Sequence, residues 1–243
     1  MISLIIPLYN EEENVKIYPT ELFPVIEQIG SDFNEQFEYI FVDDGSKDRT
    51  LVYLEEITQH RPDFRIFSHG INKGLGAAIK TGIWNARGDL IVCMDADLTF
   101  RPENIRNLLS GYHDTHSDCI SGSPYIHEGH LESVAVHRAV ISKSINGIYR
   151  LLLGAQITAI SPIFRLYTKS AIDSISISSN NFEINAEILA KLLMSGKRVH
   201  EVPVPLYQRR FGVSKINIKK EILNNIKLIS KIINVKYFHA SWS

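Results

Sequence analysis

Two cysteines in 243 residues, Cys93 and Cys119, are too few for a disulfide scaffold, and both fall in apolar, strand-like runs. They predict buried thiols in a reducing, intracellular setting. No apolar stretch approaches the ~20 residues that a membrane span needs. Low-complexity tracts and internal repeats are missing too. The chain enters a strand-like run at once (MISLIIPLYN), so no signal peptide is expected. Charge of one sign is also lacking: 26 Lys/Arg stand against 27 Asp/Glu, for a net charge of −1. The basic pattern interleaved with aromatics that marks a nucleic-acid surface is absent, so no nucleic-acid partner is expected.

What is present is the composition of a folded protein, 44% apolar and 22% charged, sized for one domain or one domain with a tail. Its charge is unevenly placed. Residues 196–243 carry ten Lys/Arg against two acids, a net +8, which leaves −9 on the part before them. A basic tail on an acidic body points to an anionic partner for the tail.

One stretch organises the rest. The apolar run before Asp95-Ala96-Asp97 ends in two carboxylates one residue apart. In an extended segment they point the same way. At a strand exit they repel unless a cation sits between them, and Mg²⁺ or Mn²⁺ carrying a phosphate-bearing substrate suits that place. A strand followed by a solvated acidic turn is the plainer alternative.

Strand-like runs alternate with helical ones. Ile2–Tyr9, Phe37–Val42, Phe64–Ser68 and Asp89–Met94 read as buried strands. Pro7 should halt the ladder of the first. Asn10 should cap a helix reaching about Ile29, Asp48 one from Arg49 to His60, and Asn72–Ala78 should open a glycine-spaced helix ending at Ala86–Gly88. Further helices are expected from Arg101, over Arg138–Leu153, over Phe182–Ser195 and over Ile216–Val235. Strands are expected at Asp118–Gly122, Ile163–Tyr167 and Lys197–Val204, with loops at 123–137 and 209–215. This alternation predicts an α/β domain, Rossmann-like, with a mostly parallel sheet flanked by helices. Ligands of such sheets bind at the carboxyl ends of the strands, where Tyr9-Asn10-Glu11, Asp43-Asp44-Gly45-Ser46 and Asp95-Ala96-Asp97 all fall. The last helix carries an Ile stripe (Ile218, Ile222, Ile226, Ile229, Ile233) that could pack on the body or lie on a membrane surface.

The motifs IIPLYNEEENV (Ile5–Val15), IFVDDGSKDRT (Ile40–Thr50), NKGLGAAIKTGIWNARGD (Asn72–Asp89) and DADLTFRPE (Asp95–Glu103) come in that order. They are followed by GSPY (Gly122–Tyr125), Arg138-x₃-Ser142, FRLY (Phe164–Tyr167), FEINAE (Phe182–Glu187), EVPVPL (Glu201–Leu206) and RRFGVSK (Arg209–Lys215). Over residues 1–215 the chain resembles the family-2 glycosyltransferases with the GT-A fold, especially the branch of dolichol-phosphate mannose synthase and its polyprenyl-phosphate relatives. The resemblance implies a GT-A domain over 1–215 with a basic amphipathic helix and tail over 216–243. It implies inverting transfer of a sugar from a GDP- or UDP-sugar to a polyprenyl phosphate, at the cytoplasmic face of a membrane. Pro7, Tyr9, Glu11, Asp43, Asp44, Lys73, Asp95 and Ala96 would then bind the nucleotide sugar. Asp95, Asp97 and Thr99 would hold Mg²⁺ or Mn²⁺. Arg138 and Ser142 would take the acceptor phosphate, and Arg209 and Lys215 would close over the diphosphate, with Asp97, Arg138, Arg209 and Lys215 serving catalysis. An anionic acceptor needs no general base. A hydroxyl acceptor would need one, for which Glu183 or Glu187 is the best placed. Two positions depart from the family pattern: Pro124 stands where GSRY has Arg, and Ala159 where D-x-T-S-G-F-R has Asp. A non-catalytic nucleotide-sugar-binding protein is the alternative they leave open.

Overall fold

The computed structural model describes residues 1–127, 136–212, 217–238 and 241–242, without the side chains of 136–144 and 218. The elements run β1 (Ile2–Leu8), α1 (Glu12–Val15), α2 (Tyr18–Glu21), α3 (Phe23–Phe33), β2 (Phe37–Asp43), α4 (Thr50–Thr58), β3 (Phe64–Ser68), α5 (Leu75–Asn85) and β4 (Leu90–Cys93). A short 3₁₀ turn then leads into α6 (Ile105–Thr115), β5 (Cys119–Ser123), α7 (Val136–Leu153), β6 (Arg165–Thr168), α8 (Lys169–Asp173), α9 (Ile184–Met194), β7 (Val199–Pro203) and α10 (Ile218–Phe238). Among the described residues the strands form one sheet, in the order β3-β2-β1-β4-β6-β5-β7. Pairing is parallel except at β6, which runs antiparallel to β4 and β5. The expected α/β class with a mostly parallel sheet is the one that forms.

Central β1 is buried along its whole length, as its unbroken apolar sequence requires of a strand covered on both faces. Pro7 does not halt it. On the β2 side pairing continues through Pro7 and Leu8, opposite Val42 and Asp43. On the β4 side it stops at Ile5, opposite Cys93. Proline lacks the N–H that a ladder uses, so it falls where one flank of β1 has no partner. β1 and β4 therefore part at their carboxyl ends. This is also where the strand order turns, with β2 and β3 on one side and β4 on the other. A crevice at such a switch point is where α/β sheets bind ligands.

The single helix expected from Asn10 to Ile29 is instead three, α1, α2 and α3. Pro19 and Pro24 each sit in the first turn of a new helix, where the missing N–H would have no partner anyway. Asn10 is not a cap. It has φ of 52°, and its amide ties the loop after β1 to that after β2: Lys47 N–H donates to Asn10 Oδ1 (2.7 Å) and Asn10 N–H to Ser46 Oγ (2.9 Å).

Each sheet face carries its own core. Ile2, Leu4, Ile6 and Leu8 pack with α3 and α6 on one face, and Ile5 packs with α5, α9 and α10 on the other, the alternation of a period-two strand. Gly82 lets α5 lie close on β1, since a Cβ there would stand 2.4 Å from Ile5 Cγ2. Helix α10 docks on the second core through Leu228 and Ile232, joined from the Ile stripe read from the sequence by Ile229. Ile222 and Ile226 of that stripe face outward with Leu223. No helix among the described residues is long and apolar enough to cross a membrane.

Candidate active site

Carboxylates converge where β1 and β4 separate. Glu11 follows β1, Asp95 and Asp97 follow β4, and Arg209 reaches them from the segment after β7. Its guanidinium stands 2.7 Å from Asp97 Oδ2 and 3.2 Å from Glu11 Oε1. The remaining Asp97 oxygen, Oδ1, accepts from the N–H (3.1 Å) and the hydroxyl (2.8 Å) of Thr99. Thr99 thus steadies Asp97 through its own hydroxyl. Glu11 is fixed at both ends: its N–H donates to Thr50 Oγ1 (2.8 Å), and its Oε2 accepts from Asn14 Nδ2 (2.6 Å). Burial, then the nearby Asp97 charge, push the Asp95 carboxyl well above the usual carboxylate range, and Arg209 pulls it the other way. One guanidinium among three carboxylates leaves negative charge to be met.

This donor set fits a hard divalent cation. Among the described residues no group of three or more His, Cys, Asp or Glu is placed to hold a metal ion by itself. Mg²⁺ and Mn²⁺ sites commonly use one or two carboxylates and take their other oxygens from water and substrate phosphates.

The second loop is built from Asp43 and Asp44, both buried. Asp43 accepts from Ser46 N–H (3.1 Å) and the Ser68 hydroxyl (2.9 Å). Asp44 Oδ1 lies 2.7 Å from His69 Nδ1 and accepts from Lys73 N–H (2.9 Å), while Oδ2 accepts from Gly74 N–H (2.8 Å). These bonds draw the carboxyl ends of β2 and β3 and the start of α5 into one wall. Gly45 permits the approach: its φ is +71°, and a Cβ there would lie 2.3 Å from the Ile71 backbone. Pro7, Tyr9 and Ala96 lie on the same edge, and Lys73 is exposed at its rim. The structure therefore gathers Pro7, Tyr9, Glu11, Asp43, Asp44, Lys73, Asp95, Ala96, Asp97, Thr99 and Arg209 on the carboxyl edge of the sheet. Arg138 and Ser142 belong to α7, but their side chains lie outside the described residues, as does Lys215 altogether.

The family model for glycosyl transferase family 2 matches residues 3–176. The chain belongs to glycosyl transferase family 2. Dolichol-phosphate mannosyltransferase of Pyrococcus furiosus is 33% identical over 234 residues, 95% of this chain and 64% of its own length. The chain thus spans a little under two thirds of that relative. Polyprenol monophosphomannose synthase of Mycolicibacterium smegmatis is 32% identical over 221 residues, 88% of this chain and 80% of the relative. The GT-A fold is shared with glucosyl-3-phosphoglycerate synthase of Mycobacterium tuberculosis. Its crystal structure with Mn²⁺, UDP and glucosyl-3-phosphoglycerate superposes with a TM-score of 0.66 at 15% identity, covering 96% of this chain and 78% of that one. Its complex with Mg²⁺ and UDP gives 0.67 at 15% identity over the same shares.

The two departures from the family-2 pattern adjoin in space. Ser123, before Pro124, and Thr158, before Ala159, share a hydroxyl–hydroxyl bond of 2.6 Å. Glu201 of β7 accepts from Thr158 N–H (2.8 Å), the Thr158 hydroxyl (2.8 Å) and Ala159 N–H (3.0 Å). A carboxylate from β7 thus holds the backbone of the segment where Ala159 stands. Glu187 is not placed to act as a base. It is buried, paired with Lys191 at 2.7 Å, and accepts from Ser178 and Ser179. Glu183 accepts from Asn224 of α10 (3.0 Å). Sequence reasoning missed Tyr18, whose hydroxyl donates to the Ala96 carbonyl at 2.7 Å, and the Asp44–His69 contact. His69 follows β3 directly, so the rule that ligand loops follow strand ends could have found it.

Proposed function

We propose that this chain transfers a sugar, with inversion, from a GDP- or UDP-linked donor to a polyprenyl phosphate, using Mg²⁺ or Mn²⁺. The observation that carries the reading is the Glu11–Arg209–Asp97 bridge beside Asp95, a mixed-charge cluster in the crevice between β1 and β4. The names of the two curated relatives support the acceptor class.

Asp95 and Asp97 would hold the cation, which when bound neutralises charge developing on the departing nucleoside diphosphate. The walls made by Pro7, Tyr9, Glu11, Asp43, Asp44, Lys73 and Ala96 would receive the nucleotide sugar. Arg209 and Lys215 would close over the diphosphate. The acceptor phosphate is already an anion, so its oxygen attacks the anomeric carbon with no proton to remove. What it needs is positive charge to hold it beside an anionic donor, the task assigned to Arg138 and Ser142 on α7. The carbon–oxygen bond to the nucleoside diphosphate breaks as the new one forms on the opposite face of the sugar.

A lipid-linked acceptor requires the site to approach a bilayer. The outward Ile222, Leu223 and Ile226 of α10, flanked by Lys219, Lys220 and Lys227, suit peripheral binding at an anionic cytoplasmic face. The test is a screen of radiolabelled GDP- and UDP-sugars with a polyprenyl phosphate in detergent, with Mn²⁺ or with EDTA. Metal-dependent label in the organic phase supports the reading. Label only as free sugar or on a soluble glycan argues against the acceptor, and no turnover with any donor favours a non-catalytic binding protein.

A further inference from the structure

We propose that Tyr18 is a positioning residue for the Asp95-Ala96-Asp97 loop, and that its hydroxyl sets the affinity for a metal-bound nucleoside diphosphate. The inference rests on reading Asp95 and Asp97 as the cation-holding pair.

Tyr18 opens α2, the short helix created by the break at Pro19. It is fully buried, stacked on Phe41 (6.0 Å between centroids, 18° between planes) and edge-on to Phe23 at 6.3 Å. Nothing in this apolar nest needs a phenol rather than a phenyl ring. Yet its hydroxyl donates to the carbonyl of Ala96, the residue between the two carboxylates. Glu11, Asp95 and Asp97 are all near enough for their charges, after burial itself, to push the phenol well above its ordinary range. The hydroxyl bonds to a neutral carbonyl amid those three acids.

The direction of the Ala96 carbonyl fixes the peptide plane joining Ala96 to Asp97, and with it the angle between the two carboxylates. Beyond that point the loop is held by other means: the Thr99 bonds to Asp97, and Leu98 kept at φ of 54°, a left-handed setting that a non-glycine residue adopts only when its surroundings enforce it. On the strand side, Met94 N–H donates to the Ile5 carbonyl. Tyr18 supplies the clamp between these two anchors. Outer partners that orient metal-binding groups typically matter by about ten- to a hundredfold in affinity.

The experiment titrates Mn²⁺ with GDP and, separately, with UDP into wild-type protein, Tyr18→Phe and Phe23→Leu, and repeats each in EDTA. Tyr18→Phe keeps the ring stack and removes only the hydroxyl. About tenfold weaker binding of the nucleotide that wild type accepts is expected with Mn²⁺, and no difference from wild type in EDTA. Phe23→Leu disturbs the same aromatic nest without touching Ala96, so it should lower the melting temperature and leave the affinity alone. Binding by Tyr18→Phe within twofold of wild type, or equal weakening by Phe23→Leu, overturns this proposal alone. Wild-type protein that takes up neither nucleotide with Mn²⁺ overturns it together with the reading of Asp95 and Asp97.

Discussion

Removing the Arg209 guanidinium exposes how the site balances its charge. It bridges Asp97 at 2.7 Å and Glu11 at 3.2 Å. Arg209→Ala leaves those two carboxylates and Asp95 facing one another with no cation. Breaking a fully buried ion pair costs about 3–5 kcal/mol. Arg209 is a quarter exposed, so about 2–3 kcal/mol is the expected loss here, allowing for solvent screening. For a chain of this size that is about 5–10 °C in melting temperature. The deficit should narrow when a divalent cation is added. On the proposed reading, wild-type protein gives up part of its Arg209–Asp97 contact to admit the ion, whereas the variant offers Asp97 Oδ2 without that contact. Mn²⁺ without nucleotide should therefore raise the melting temperature of Arg209→Ala by several degrees more than that of wild type. Differential scanning fluorimetry with Mn²⁺ and with EDTA measures both quantities. A variant as stable as wild type in EDTA, or one that gains no more from Mn²⁺, would refute the claim that guanidinium and metal share Asp97.

Glu187 predicts an acid-labile fold. Burial alone would raise its carboxyl, but the Lys191 ammonium and the Ser178 and Ser179 donors outweigh that and hold it at about 2, against an unfolded value of 4.5. A depressed folded value stabilises above the unfolded one and is lost as pH falls, so about 3 kcal/mol should disappear between pH 5 and 2. Urea midpoints should decline over that window in wild type and less steeply in Glu187→Gln, and parallel slopes would contradict the assignment. On α10, Leu223 and Ile226 are 59% and 56% exposed, so replacing both with Glu should change stability by only about 0.5 kcal/mol per site. Co-sedimentation with anionic vesicles should fall at least tenfold. Unchanged sedimentation would mean that this face does not meet the bilayer.

The carboxyl edge of the sheet was legible because two local signals coincide there. Ile2–Leu8 and Leu90–Cys93 are apolar enough to be buried strands, and each runs straight into a polar cluster. Strand class, the β1–β4 order of alternation and the gathering of Glu11, Asp44 and Asp97 follow from that coincidence. What the sequence hid is what depends on distant partners. Arg209 meets Glu11 across 198 residues, and no periodicity marks such a pair. The antiparallel setting of β6 follows a long excursion through α7, which frees it from the handedness rule that governs short crossovers. Tyr18 is hidden when one helix is expected through Pro19, although a proline fits the first turn of a helix better than its interior. On α10 the Ile stripe is split, with Ile229 against the core and Ile222 and Ile226 outward, because periodicity cannot say which side of a helix meets the core when Leu228 and Ile232 compete.

The central claim is that Asp95 and Asp97 hold a nucleoside diphosphate through a divalent cation. Isothermal titration of GDP and UDP into wild-type protein and Asp97→Ala, each with Mn²⁺ and with EDTA, tests it directly. The account predicts that one nucleotide binds wild type at least a hundredfold more tightly with Mn²⁺ than without, and that Asp97→Ala loses this gain. Equal affinity with and without Mn²⁺, or full metal-dependent binding by Asp97→Ala, would contradict it.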